Sequence, residues 1–510
     1  MKNKTERRVA GILLHPGMLP GAYGIGDFGQ GSRDFLDLLS RMQVSLWQIL
    51  PLGPTGYGDS PYAARSSFAG NELLIDLRSL AIEGFLDIDA LLSAPSFPSD
   101  YVDYAAVRAW KEPLLALAAA RFLKTADDTL MEEFHAFCAA QAGWLEDYAL
   151  YEVLCVHYGD SRWFTTWDKD IALRKPDALV SWREKKAVEL ENAKIRQFFF
   201  FRQWQAVRSY AHGKGISIIG DLPIYVAADS ADAWSHRELL SFSPDGVQTE
   251  LGGVPPDAFS ATGQLWGNPV YAWEKHEEDG FAWWTRRLAA AFSQVDILRL
   301  DHFRGFAACW VVPASASTAA SGRWVASPGT RLLAAAREKL GNMDIIAEDL
   351  GVITPDVEQL RVENGFPGMK ILQFAFEKKD GRFNPHHDYL PHEYDYDSAA
   401  YTGTHDNQTS RGWFSSLSHE YKDMVRCYLQ CDDGDVVWQM IRVIMMSRAR
   451  YAVFPIQDIL GCGDEARFNT PGTCGTHNWG WRMNPEALQG WMVERFSGMV
   501  TMYGRSTGQA

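Results

Sequence analysis

The sequence predicts a parallel (β/α)8 barrel with a largely helical insertion between its second and third strands. Three observations predict it. Strand-like and helix-like segments alternate from about residue 216 to 460. A strand, helix, strand unit opens the chain at 11–50. Four mostly apolar runs, far apart in sequence, each close on a carboxylate: Ile216–Asp221, Val295–Asp301, Asp344–Glu348 and Ala400–Asp406. An acid is costly where an apolar strand ends in the interior, because desolvation penalises its charge. Four of them point to strands whose C-terminal ends converge on one site, as in a parallel barrel. The chain has 510 residues, against about 250 for a bare barrel, so insertions are expected.

Taken in order, Gly11–His15 reads as the first strand and Ser32–Arg41 as a helix, with an apolar stripe at Phe35, Leu36, Leu38 and Leu39. Ser45–Leu50 is the second strand and runs into the Gly- and Pro-rich segment 51–62. From 77 to 214 strand signals fade, and stretches such as Tyr104–Arg121 and Thr129–Leu150 read as helices of the insertion. Gln197–Arg208, with Phe198 to Phe201 in a row, leads back to the barrel as a core helix. Then come strand 216–221, helix Phe281–Gln294, strand Val295–Leu300, helix Thr330–Leu340 and strand Met343–Ala347. Helix Pro355–Glu363 and strand Gly368–Phe376 follow, then strand Ala399–Thr404, helix Asp433–Ser447, strand Tyr451–Gln457 and a last helix Pro485–Phe496. These compose one catalytic barrel over 1–510, with no repeat or low-complexity tract.

Composition excludes several classes. A net charge of −15 disfavours a nucleic-acid backbone or an anionic membrane as partner. Seven scattered cysteines form neither a disulfide framework nor a metal-ligand pattern. Cys427 and Cys431 share helical spacing and read as packing, and nothing beside Cys462 or Cys474 activates a thiol. The apolar stretch 9–14 is too short for a signal-peptide core, and no run reaches transmembrane length. A cytoplasmic location is expected.

The densest cluster is Arg299-Leu-Asp301-His302-Phe303-Arg304-Gly305. Strand alternation places Arg299 and Asp301 on one face, where the guanidinium favours the ionised carboxylate and orients it. That suits a nucleophile, although a purely structural ion pair would look the same. Glu348 follows Ile345-Ile-Ala347 with no cation beside it, a setting that raises a carboxyl pKa and suits a general acid. Asp349 falls on the opposite face and reads as structural. Asp406 adds a third acid with His405 next to it, and His302 and His405 can donate hydrogen bonds to a ligand.

Two carboxylates in opposed settings are what glycoside cleavage requires, one attacking the anomeric carbon and one protonating the leaving oxygen. Sugars also stack on flat apolar rings, and Trp47, Tyr57, Tyr62, Phe259, Trp266, Phe303 and Trp479 lie near these motifs. Magnesium-dependent enolase-like chemistry uses a Lys or His base, and no Lys stands at these strand ends. No GxGxxG or GxxxxGK[ST] phosphate motif joins a strand to a helix.

Together these segments resemble glycoside hydrolase family 77, the 4-α-glucanotransferases (amylomaltases) of the α-amylase clan. The resemblance is carried by Gly56-Tyr-Gly-Asp-Ser-Pro-Tyr62, Gly220-Asp-Leu-Pro-Ile-Tyr225, Val254-Pro-Pro-Asp257-Ala-Phe-Ser260 and Gly263-Gln-Leu-Trp-Gly-Asn-Pro269. It continues through Arg299–Gly305, Ala347–Gly351, Gly403–Asn407 and Pro455–Trp481. It implies Asp301 as nucleophile, Glu348 as general acid/base and Asp406 as the third acid holding the distorted sugar. Asp221, Arg299, His302 and His405 would line the donor site, with Tyr62 stacking beside the centre and Asn478 in the binding set. The segment 250–269 would cover the active site, with Asp257 and Trp266 towards the acceptor, and Tyr57 would belong to a second glucan contact. Phe468, where Met is expected, and Thr476-His477 depart from the family pattern and bear on subsite preference.

The implied reaction is retaining transfer of α-1,4-glucan segments to the 4-hydroxyl of a maltooligosaccharide or glucose, by a monomer or homodimer. No cofactor or metal is required, and no nucleic acid or membrane partner. An α-amylase-like hydrolase on the same acids is the alternative, and a non-catalytic carbohydrate-binding protein a further one. No C-terminal β-domain is expected after Trp481.

Overall fold

The computed structural model describes residues 7–256, 261–379, 381–475 and 477–506. Among these, eight parallel strands close into a barrel: β1 Val9–Leu13, β2 Leu46–Gln48, β3 Ser217–Leu222, β4 Ile297–Leu300, β5 Ile345–Ala347, β6 Gly368–Ile371, β7 Ser398–Tyr401 and β8 Tyr451–Pro455. β1 closes the ring against β8, with Val9 opposite Tyr451 and Leu13 opposite Pro455. The strands read as continuous apolar runs because a parallel barrel buries both of their faces. Gly220 shows the resulting constraint, since a Cβ there would lie 2.6 Å from Val295 Cγ1. The close approach lets the next residue, Asp221, face the interior.

The barrel interior is polar towards its C-terminal end. Tyr401 OH donates to Gln48 Oε1 at 2.9 Å, and the buried Arg299 reaches Asp221 across the β3–β4 pair. Within β2, Trp47 is wholly buried, donates to the Leu14 carbonyl at 2.7 Å and packs against Trp204. It is a core residue, not the sugar platform that its neighbourhood suggested. Phe303 is likewise fully buried.

The segment between β2 and β3 is helical, with long helices Tyr104–Thr125, Asp128–Ala140, Leu145–Tyr158 and Ala187–Gly213. The expected helix 129–150 is two, broken at 141–144. Phe198, Phe199 and Phe200 are buried. Gln197 locks the long helix to the loop after β2: its Oε1 accepts from Gly70 N at 2.8 Å and its Nε2 donates to Gly70 O at 3.0 Å.

Four further expectations are corrected. Segment 250–269 contains two antiparallel strands, Glu250–Val254 and Gln264–Pro269, instead of a loop alone. They join Ala308–Pro313 and Arg323–Ala326 in a four-stranded sheet not anticipated from the sequence. β6 stops at Ile371 and tightens into a 3-10 turn, Leu372–Ala375. The last helix is Gly490–Met502, preceded by a 3-10 turn at Pro485–Ala487. All seven cysteines are free thiols, and Cys427 is exposed where packing was expected.

Candidate active site

The four acids arrive at the C-terminal rim by different local routes. Asp221 lies within the end of β3, while Asp301 and Glu348 are the first residues beyond β4 and β5. Asp406 is not a strand terminus, because β7 ends at Tyr401. It sits in a turn held by Asn407, whose Oδ1 accepts from Thr404 N at 2.9 Å and Thr404 Oγ1 at 2.8 Å.

Arg299 organises the centre. Its Nη1 lies 2.8 and 2.6 Å from the two Asp221 oxygens and 3.0 Å from Asp301 Oδ1. The Asp221 side chain is fully buried, whereas that of Asp301 keeps 27% of its surface open. Of the two carboxylates on this cation, only Asp301 is therefore accessible to a reactant. Charge-assisted bonds to one guanidinium fix the orientation of both.

Glu348 has the opposite character. Burial pushes its pKa up to about 8; the charge of Arg299 opposes this, and that of Asp301 adds to it. A cation thus does act on Glu348, from the neighbouring strand, but burial outweighs it. Glu348 Oε2 accepts from His302 N–H at 2.6 Å. That amide is aimed by a left-handed backbone at His302, φ 47° and ψ 52°, a conformation costing on the order of 1–3 kcal/mol in a non-glycine residue. Asp349 turns away, accepting from Met369 N at 2.7 Å and pairing with Arg361 at 3.0 Å.

The Asp406 side chain keeps 46% of its surface open. Desolvation by the walls of the site works against its ionisation, but His405 and the Asn469 amide outweigh it and hold the carboxyl well below its usual range. The contacts are 3.2 Å from His405 Nε2 and 2.7 Å from Asn469 Nδ2, and Arg467 donates to the Asp406 carbonyl at 2.8 Å. Asn469 and Arg467 were not singled out in the sequence. Their one signal is their place in the Gly- and Asn-rich segment after β8, on the catalytic rim.

Tyr62 ties the site together. Its ring stacks on His405, centroids 4.9 Å apart and planes 16° apart, and Trp479 packs against both. Its hydroxyl donates to Asp221 Oδ2 at 2.8 Å and lies 3.5 Å from His405 Nδ1. His302 is held neutral, burial pushing its pKa down to about 4 against the pull of Asp301. Its buried Nε2 has no hydrogen-bond partner among the described residues. Trp266, 37% exposed, stands edge-on to His302 at 4.9 Å.

The remaining expected residues are placed as follows. Tyr57 is 77% exposed, beside Cys474. Asn478 is buried, and its amide is engaged by its own loop: Oδ1 accepts from Thr470 N and Nδ2 donates to Thr473 O and Oγ1, all at 3.0 Å. Asp257 and Phe259 lie outside the described residues. Among the described residues, no group of three or more His, Cys, Asp or Glu is arranged to hold a metal ion. The site can therefore present an accessible carboxylate, a protonated carboxyl and an ionised third acid to one substrate.

A family model described as 4-alpha-glucanotransferase matches residues 14–488. The 4-alpha-glucanotransferase of Synechocystis is 47% identical over 504 residues, covering 98% of both chains. That of Thermus thermophilus is 46% identical over 489 residues, covering 94% of this chain and 96% of its own. The solved structure of an amylomaltase from Streptococcus agalactiae in complex with acarbose superposes with a TM-score of 0.94 at 37% identity, covering 98% of this chain and 100% of that one.

Proposed function

The chain belongs to the 4-alpha-glucanotransferase family, glycoside hydrolase family 77, and from that premise we propose how its own residues carry an α-1,4-glucan segment from donor to acceptor. Asp301, as a carboxylate, attacks the anomeric carbon of the donor. The glycosidic C–O bond breaks, and Glu348 gives its proton to the leaving oxygen. A glycosyl ester on Asp301 results, with the configuration inverted once. The 4-hydroxyl of an acceptor glucan or glucose then attacks the same carbon. Glu348 takes the hydroxyl proton, the ester bond to Asp301 breaks, and the second inversion restores the α linkage.

The observation that carries this assignment is the division of labour around Arg299: Asp301 pairs with the guanidinium at 3.0 Å, whereas Glu348 accepts from the His302 amide and has its pKa raised. Asp406, held ionised by His405 and Asn469, binds the hydroxyls of the distorted donor sugar. Asp221, Arg299 and His405 shape that subsite, and the unpartnered His302 Nε2 bonds a sugar hydroxyl. Tyr62 supplies the stacking face, and Trp266 with Asp257 the acceptor side. Tyr57 serves a peripheral glucan contact, and Asn478 acts by fixing the 470–478 loop. The chemistry uses no cofactor. We place the enzyme in the cytoplasm, where seven free thiols persist, acting as a monomer or homodimer. Among the described residues no helix is long and apolar enough to cross a membrane.

Incubation with maltotriose, without added metal, tests the reading. Glucose together with a ladder of longer maltooligosaccharides is the expected product pattern, and glucose with maltose alone would mean hydrolysis. Asp301→Asn is expected to lower transfer by at least about 10³-fold, as losing a covalent nucleophile does. Near wild-type transfer by that variant would refute the assignment.

A further inference from the structure

One buried carboxylate at the catalytic rim has no part in this chemistry. Asp458 lies in the short helix Ile456–Leu460 after β8 and is 2% exposed. Its Oδ2 accepts from Thr402 Oγ1 at 2.5 Å and from Ser410 Oγ at 2.7 Å, and its Oδ1 accepts from Ser410 N at 2.8 Å. Thr402 is the first residue beyond β7, and Ser410 is the first residue of the helix Ser410–Ser416. One side chain thus closes both ends of segment 402–410, which carries His405 and Asp406.

The same stretch of chain grips that segment from its other side. Gln457, next to Asp458, donates to the Ala466 carbonyl at 3.1 Å. Arg467 and Asn469 follow at once and bond the Asp406 carbonyl and carboxylate at 2.8 and 2.7 Å. Within the segment, Asp406 N–H donates to Thr404 Oγ1 at 3.3 Å, and Thr404 is itself held by Asn407. Residues 456–469 form a frame around the Asp406 turn, with Asp458 at its base.

We propose that Asp458 is a positioning residue for Asp406, holding the third acid where it meets the donor sugar. Burying an acid whose partners are two hydroxyls and an amide is costly, and an apolar residue would fill the space at less cost to stability. The bonds instead fix a turn on which catalytic geometry depends, and small misplacements of such a group lower rate steeply. A group that acts chiefly in the transition state lowers kcat when displaced and leaves KM nearly unchanged. The inference rests on the role given to Asp406 above.

The test measures kcat and KM for maltotriose disproportionation, with Tm, in Asp458→Asn, Thr402→Val, Thr402→Ser, Ser410→Ala and Arg505→Met. Arg505 lies at the opposite end of the barrel and reports loss of stability alone. Asp458→Asn is expected to lower kcat at least tenfold with KM within twofold of wild type. Thr402→Val and Ser410→Ala should lose several-fold in kcat, and Thr402→Ser, which keeps the hydroxyl, should lose none. These milder variants carry the test if Asp458→Asn does not fold. The proposal fails if the Asp458, Thr402 and Ser410 variants shift Tm as Arg505→Met does while kcat stays at the wild-type value. Asp406→Asn separates the two ideas. An active Asp406→Asn overturns the role of Asp406 itself, whereas an inactive one beside unaffected Asp458 variants overturns only the brace.

Discussion

Arg299 pairs directly with Asp301 at 3.0 Å, while Glu348 meets the same guanidinium only as a nearby charge, too weak to offset the desolvation that raises its pKa. With the Glu348 pKa pushed up to about 8 by desolvation, and with the proposed general-acid role requiring its proton, kcat/KM should fall as pH rises through about 8. The same shift has a stability consequence. The folded chain retains a proton on Glu348 that the unfolded chain, with an ordinary value of 4.5, has lost. Stability therefore declines as pH rises through that window. Glu348→Gln, nearly isosteric and unable to ionise, is expected to abolish transfer and to raise Tm at pH 9 more than at pH 5. Equal Tm changes at the two pH values would show that Glu348 does not hold its proton in the folded chain. Part of this was legible in the sequence, where Ile345-Ile-Ala347 announces an enclosed acid. The His302 amide and Arg299 are supplied by a neighbouring strand, and Asn469 and Asp458 act on Asp406 across more than fifty residues of chain, so no local pattern reveals them.

The elements were legible where burial writes a period into the sequence. All eight barrel strands overlap the predicted segments, with β1 starting two residues earlier than expected and β3 and β7 displaced by one, because strands buried on both faces need unbroken apolar runs. The four-stranded sheet beside the rim was not, because its half-exposed strands contain Gly252-Gly253, Gly267 and Pro269, which lower strand propensity, and they pair antiparallel, outside the strand–helix alternation. Helix Val436–Met446 shows another feature without a local signature. Its C-terminal carbonyls are capped by Arg505, a fully buried side chain far along the chain. Arg505 donates to the carbonyls of Ile444, Met445, Ser447, Ala449 and Val9 at 2.8–3.3 Å. It thus joins a helix end to the entries of β1 and β8. Helix-terminal carbonyls need such partners when buried, and leaving several unsatisfied costs about 3–5 kcal/mol. Arg505→Met should lower the thermal inactivation midpoint by several degrees with kcat unchanged at 25 °C. An unchanged midpoint would mean that water or Arg8 replaces the cap.

At the scale of the whole molecule, the proposed mechanism requires that a sugar hydroxyl outcompete water for the glycosyl ester on Asp301. The rim sheet is placed to influence that competition, because it is continuous with the proposed nucleophile: β4 ends at Leu300, Asp301 leads into the turn Phe303–Phe306, and Ala308 begins a sheet strand. That strand pairs with Glu250–Val254, which pairs in turn with Gln264–Pro269. The sheet sets Trp266 edge-on to His302, beside the reacting centre, with its ring still partly exposed. A ring so placed offers an acceptor sugar an apolar face and displaces water from the same position. Trp266→Ala removes that face while leaving Asp301, Glu348 and Arg299 untouched. The ratio of transfer to hydrolysis, read as chain-length ladder against new reducing ends, should fall about tenfold, with formation of the ester little affected. If the ratio stayed constant while both rates fell together, Trp266 would be acting on the donor, and the preference for acceptor over water would have to arise elsewhere on the rim.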